Sequence, residues 1–160
     1  MAGAAIRTNH IGFTVRNVDR AAAMFADVFG YEVASRGGRH PRGVALLTGL
    51  DEADILVVHL HHAELIAIEL ISYSKPADAG RMTGRPCDVG YTHLTFDVRD
   101  IDAMIDAGAR HGLMPVGRIV ETAPNGAGRR VVYLRDDNGV TLELIQPAQD
   151  RPTAEHTLLR

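Results

Sequence analysis

The sequence predicts an α+β fold: two paired βαβββ modules forming a curved mixed sheet around a metal-binding cavity. Three observations predict it. First, residues 8–19 are echoed by residues 91–102, so that His10, Phe13, Val15, Arg16 and Asp19 return as His93, Phe96, Val98, Arg99 and Asp102, each 83 positions on. Second, Ile68-Glu69-Leu70-Ile71 is echoed by Leu142-Glu143-Leu144-Ile145. Third, each half runs from a period-two segment through one helical stripe into further strand-like segments. A single unit of this kind leaves one sheet face uncovered, and two units can combine their sheets.

The elements follow in order. Residues 9–16 alternate, with Ile11, Phe13 and Val15 on one face and His10, Gly12 and Thr14 on the other. Asp19 is the expected N-cap of a helix over 20–29, whose apolar stripe is Ala21, Ala22, Met24, Phe25, Val28 and Phe29. Gly30 is placed to end it. Residues 31–35 read as a strand, and 37–43 as a loop by their Gly and Pro content. Strands are expected over 44–48, 55–60 and 65–73, with a turn at His61-His62-Ala63-Glu64. The Gly- and Pro-rich stretch 74–90 reads as a linker between module 6–73 and module 91–147. The second module repeats the plan: a strand over 91–98, a helix from about residue 100 to 110, strands over 114–121, 130–135 and 140–146, and a loop over 123–128. Asn138-Gly139 is a strong hairpin signal, since both residues tolerate positive φ. Residues 148–160 are expected to be a loose tail beyond one domain, 1–147.

Composition bounds the function. With 46% hydrophobic and 23% charged residues, the chain has the make-up of an ordinary globular protein. A net charge of −3 with no Lys/Arg block excludes a general nucleic-acid binder. No stretch approaches the ~20 apolar residues of a membrane helix. One cysteine, Cys87, precludes an internal disulfide, and the start lacks a secretory pattern. A cytoplasmic location is the expectation.

Alternation then places the chemistry. In 65–71, Ile66, Ile68 and Leu70 face one way and Glu69 the other. In 92–98, Leu94, Phe96 and Val98 oppose His93, Thr95 and Asp97; in 140–145, Val140, Leu142 and Leu144 oppose Glu143. In all four strands the titratable residue lies opposite the apolar set that can cover a helix. A part-buried carboxylate needs a proton, a cation or hydrogen bonds. Two neutral imidazoles and two carboxylates balance a divalent ion, and the N₂O₂ set His10, Glu69, His93 and Glu143 suits one Zn, Ni, Fe(II), Mn or Co ion.

These residues carry a resemblance. The run 9–15 with Asp19 and Phe29-Gly30-Tyr31, then Ile68-Glu69-Leu70, Thr92–Phe96 and the run 131–145, is similar to the vicinal oxygen chelate superfamily: the glyoxalase I, bleomycin-resistance and extradiol-dioxygenase group. The resemblance implies paired βαβββ modules with a divalent metal between them, held by His10, Glu69, His93 and Glu143. A His/Glu/His/Glu set resembles glyoxalase I, whereas extradiol dioxygenases normally use two His and one Glu. Where bacterial glyoxalase I has a glutathione-binding Arg and a glutathione-contacting Asn, this chain has Thr14 and Tyr73, which speaks against glutathione.

The expected function is therefore a metal-dependent lyase or isomerase of glyoxalase type. It would act on a small oxygenated metabolite through a metal-stabilised enediolate, with Glu143 as base and Glu69 as its partner. The alternatives are an Fe(II) extradiol-type dioxygenase and a non-catalytic antibiotic- or metabolite-binding resistance protein. Arg129 and Arg130 could hold an anionic substrate group. Thr14, Tyr73 and Asp97 project by parity toward the substrate. His59, His61 and His62 invite a metal reading, but the turn position of His61 and His62 favours exposed histidines. A homodimer is expected, and the sequence leaves open whether the site closes within one chain or across two.

Overall fold

A computed structural model describes residues 5–81, 84–123 and 128–148. The tail beyond 148 and most of the loop 123–128 lie outside the described residues. The chain divides into two compact units: Met1–Tyr91 with Asp136–Val140, and Thr92–Arg135 with Thr141–Arg160. Among the described residues no helix is long and apolar enough to cross a membrane.

The first unit contains β1 (His10–Thr14), α1 (Val18–Phe29), β2 (Glu32–Gly38), α2 (Pro41–Thr48), β3 (Asp54–His61) and β4 (Ala67–Lys75). Its sheet runs β1-β4-β3-β2, with β1 parallel to β4 and the other pairs antiparallel. That mixture is what a β-α-β-β-β path produces: the crossover through α1 makes one parallel pair, and short turns make the rest. Helix α1 buries Ala21, Met24, Phe25 and Phe29, packing against β3 and β4. Phe25 is fully buried, which contributes about 1.5–3 kcal/mol by removal from water.

Two local expectations are corrected. Helix α1 starts two residues early, because Asn17 rather than Asp19 is its N-cap; the Asn17 side chain accepts from the Arg20 N–H at 3.0 Å. Residues 44–48 are helix, not strand. Val44-Ala45-Leu46-Leu47 is an apolar run too short for periodicity to decide. Pro41 opens α2, Gly49 closes it in the left-handed region, and only Val44 is buried. The expected strand 31–35 also shifts. Tyr31 is a core residue before β2, donating its hydroxyl to the Ile66 carbonyl at 2.8 Å, and burial pushes its phenol up to about 12.

The second unit contains β5 (Leu94–Asp97), α3 (Ile101–Ala109), β6 (Met114–Pro115), β7 (Val120–Glu121), β8 (Arg130–Arg135) and β9 (Thr141–Gln146). Its sheet order is β5-β9-β8-β6, with β7 also paired to β8. Again the first strand is parallel to the last and the other pairs are antiparallel. The expected single strand over 114–121 is two short ones, since Pro115 has no N–H to donate. Asp100 caps α3 at the position equivalent to Asn17. The fold is thus α+β with two mixed sheets, as the duplication predicted.

The turn between β8 and β9 belongs to the first unit. Asp136 is buried and its Oδ1 accepts three backbone N–H groups, from Asn138, Gly139 and Val140 at 3.0, 2.8 and 2.8 Å. Burial pushes the Asp136 carboxyl up, and these donors pull it part of the way back. Asn138 clamps the end of β1, accepting the Asn17 N–H at 2.7 Å and donating to the Asn17 carbonyl at 2.9 Å. Gly139 has φ 117°, and a Cβ there would stand 2.9 Å from the Thr14 carbonyl oxygen. Only glycine fits this contact.

Candidate metal and catalytic site

Strand register puts the site residues of the first unit on one sheet face. Glu69 stands beside Gly12 on β1 and opposite His59 on β3, and His59 stands opposite Ser35 on β2. His10 lies one step diagonal from Glu69, with its Nε2 3.4 Å from Glu69 Oε2. The other oxygen, Oε1, is 3.1 Å from His59 Nε2. The opposite face holds Ile68 and Leu70, both fully buried. Thr14 and Tyr73 share the Glu69 face, as alternation requires.

The His10 ring shows how it is oriented. Its Nδ1 is 2.8 Å from the amide oxygen of Asn9. In its Nδ1–H tautomer His10 donates to that oxygen and keeps a lone pair on Nε2. A proton or a cation between Nε2 and the Glu69 carboxylate would satisfy both groups. A histidine that donates its far nitrogen to an oxygen and offers the near one is arranged as a metal ligand.

The second unit repeats the pair with different neighbours. His93 Nε2 lies 3.5 Å from Glu143 Oε2. The same oxygen accepts the Thr95 hydroxyl at 2.8 Å, and Thr95 is directly beside Glu143 in the parallel ladder. Tyr133 stands opposite Glu143, and its ring meets His93 edge-on at 4.9 Å between centroids. Asp97 shares the Glu143 face. Among the described residues no three of His, Cys, Asp and Glu are arranged to hold a metal by themselves. Each unit offers a His–Glu pair at the duplicated positions, and the first unit adds His59 beside Glu69.

Arg130 lies on the helix side of its sheet, three positions before Tyr133 and so on the opposite face. Its guanidinium binds both carboxylate oxygens of Asp102, at 2.7 and 3.1 Å, and Gln146 Oε1 at 3.1 Å. The hydrogen bonds from Arg130, with its charge, hold the Asp102 carboxyl below its usual range. Arg36 does the same for Asp19 in the first unit. The repeated aspartates thus pin helix starts to strands. Arg129 is exposed at the start of β8. His61 is exposed, and His62 packs on Tyr31 at 5.4 Å between ring centroids.

Residue-by-residue reading gave no role to Ser35, Thr95 or Tyr133, and weighed His59 only as one of three histidines inviting a metal reading. One signal could have found two of them. His59 precedes Glu69 by ten residues, and Tyr133 precedes Glu143 by ten, so equal hairpins place each opposite its glutamate.

Comparisons with known proteins agree with this architecture. A family model described as the glyoxalase/bleomycin resistance protein/dioxygenase superfamily matches residues 9–133. The chain is 31% identical, over 162 aligned positions, to a 2-epi-5-epi-valiolone epimerase from an Actinomyces species, spanning 98% of this chain and 87% of that protein. A glyoxalase family protein from Bacillus cereus is similar in structure with a TM-score of 0.79 and 24% identity, over 92% of this chain and 98% of that one. Glyoxalase I from Zea mays gives 0.60 and 16%, over 89% of this chain and 47% of that one. A variant of a fosfomycin resistance protein from Listeria monocytogenes, complexed with Mn(II), gives 0.55 and 13%, over 88% and 90%. The structural likenesses concern the fold.

Proposed function

Because the chain belongs to the glyoxalase, bleomycin resistance protein and dioxygenase superfamily, we propose that it is a divalent-metal-dependent isomerase. It inverts a carbon beside a carbonyl in a small polyoxygenated metabolite. The observation that carries this reading is the duplicated pair, a histidine Nε2 facing a glutamate oxygen in each unit. The 31% identical relative named as an epimerase supports the reaction class.

His10, Glu69, His93 and Glu143 are the proposed donors for one Zn, Ni, Fe(II), Mn or Co ion. The tautomer of His10 that donates Nδ1–H to Asn9 would fit that role. A bound divalent ion supplies fixed positive charge for the substrate oxygen on which negative charge develops. Whether the set closes within one chain or across a homodimer, both pairs contribute.

Inverting a carbon calls for acid–base groups on two sides of it, and the duplicated glutamates provide two. Glu143 takes the proton, and the C–H electron pair shifts onto the neighbouring carbonyl oxygen. As that electron pair returns from oxygen to carbon, a proton relayed from solvent by Glu69 adds on the opposite face, and Glu143 gives its own proton back to solvent. The product is an isomer, so no further reactant is consumed. The Thr95 hydroxyl holds one oxygen of Glu143 and leaves the other to move. Thr14, Tyr73 and Asp97 are the proposed substrate-shaping residues.

The test is to incubate the protein with 2-epi-5-epi-valiolone in D₂O. Deuterium should enter the inverted carbon. Metal removal with EDTA should abolish exchange, and Glu143→Gln should lower it roughly 10²–10⁴-fold. Full exchange by the metal-free protein would end this reading.

A further inference from the structure

We infer that His59 is a positioning residue for Glu69, holding one carboxylate oxygen so that the other is presented beside His10. The inference rests on the proposed role of Glu69 as a metal ligand, and deepens it.

The two oxygens of Glu69 have different neighbours. Oε2 faces His10 Nε2 at 3.4 Å and Oε1 faces His59 Nε2 at 3.1 Å. On the β1 side stands Gly12, which offers no side-chain donor, and even an added Cβ would reach only 3.9 Å from Oε2. His59 itself is fixed from behind: its Nδ1 is 3.0 Å from the Ser35 hydroxyl on the next strand.

Hydrogen-bond chemistry separates the two imidazoles. In its Nε2–H tautomer His59 has a donor nitrogen 3.1 Å from Glu69 Oε1. Its Nδ1 then has a lone pair, which accepts the Ser35 hydroxyl. In its Nδ1–H tautomer His10 has the reverse arrangement, donating to the Asn9 amide oxygen and leaving Nε2 bare. One histidine thus offers a lone pair to a metal, and the other offers a proton to the ligand carboxylate. The second unit secures its glutamate from the opposite side: Tyr133 occupies the place of His59, and the Thr95 hydroxyl donates to Glu143. The duplication has kept the ligands and exchanged their supports.

The competing explanation is a surface ion pair with no consequence for the metal. His59 and Glu69 side chains keep 33% and 20% of their exposure, where such pairs are typically worth 0–1 kcal/mol. The two explanations diverge in metal affinity. Outer partners of ligand side chains typically change metal affinity by about 10–100-fold when removed.

The experiment titrates Co(II) into the full-length protein and follows its visible d–d absorption. His59→Phe should weaken Co(II) binding about 10–100-fold while the melting temperature of the metal-free protein stays unchanged. His59→Gln, whose amide can still donate to Oε1, should restore most of the affinity. Ser35→Ala, at an exposed strand position, should weaken binding a few-fold and serves if His59→Phe does not fold. Unchanged affinity in both His59→Phe and Ser35→Ala overturns the inference. So does equal loss in His59→Phe and His59→Gln, which would make His59 a ligand. Wild-type protein that binds no Co(II) would instead remove the metal reading itself.

Discussion

Replacing Asp136 by Ala should destabilise the protein by about 2–4 kcal/mol. The magnitude comes from the three N–H groups that share its Oδ1. Those of Asn138 and Val140 belong to buried residues, whereas Gly139 is exposed and can turn to water. A buried donor left without an acceptor costs about 1–3 kcal/mol, and two such donors set the range. Against a typical total stability of about 5–15 kcal/mol this is a large fraction. Asp136→Asn is the discriminating control, because its Oδ1 can accept the same three bonds without a charge. Burial raises the Asp136 carboxyl above the usual 3.8, so its contribution to stability is fullest below that value and declines as pH rises through the folded-state value. Asn carries no such loss. Its stability relative to wild type should therefore increase from pH 3 to pH 7. Urea unfolding followed by far-ultraviolet circular dichroism at several pH values measures all of this. An Ala variant within 0.5 kcal/mol of wild type, or an Asn variant as damaged as Ala, would refute the reasoning.

Other outcomes follow from the same geometry. Thr95→Val, which keeps the branched shape and removes the hydroxyl on Glu143, should lower kcat about tenfold with little change in melting temperature, read by the deuterium-exchange assay. Arg130→Met should cost about 1 kcal/mol at neutral pH and leave KM unchanged, since its guanidinium is engaged by Asp102. The lowered Asp102 carboxyl contributes above its unfolded value of 3.8, so the difference from wild type should shrink as pH falls below about 4 in urea titrations. Tyr31→Phe should cost about 1 kcal/mol through the lost bond to the Ile66 carbonyl. Because the Tyr31 phenol is raised to about 12, wild type should lose stability between pH 10 and 12, and the Phe variant should lose less.

The faces of the four proposed ligands were legible because a strand's period of two is rigid. Once Ile68 and Leu70 are inside, Glu69 has to be outside that core, and the register bears this out. The duplication likewise predicted one plan for both halves, and in both units the first strand runs parallel to the last. The first unit's second helix was not legible: four apolar residues in a row satisfy a strand and a helix equally, and Pro41 and Gly49 decide the matter only when taken together. His59 was obscured by two neighbours of its own residue type: His61, which ends β3 exposed, and His62, which follows it. Arg130 looked available because its partner, Asp102, is 28 positions away. Its place opposite Glu143's face was already implicit in the alternation of Arg130, Val132 and Leu134.

The central claim is that the repeated His–Glu pairs act as one donor set. Its most direct test is metal content and affinity of the wild type beside His10→Ala and His93→Ala, measured by elemental analysis and Co(II) titration. The account predicts one divalent ion per donor set in the wild type and a loss of affinity from either substitution alone. A His93→Ala protein that binds the ion as tightly as wild type would contradict it.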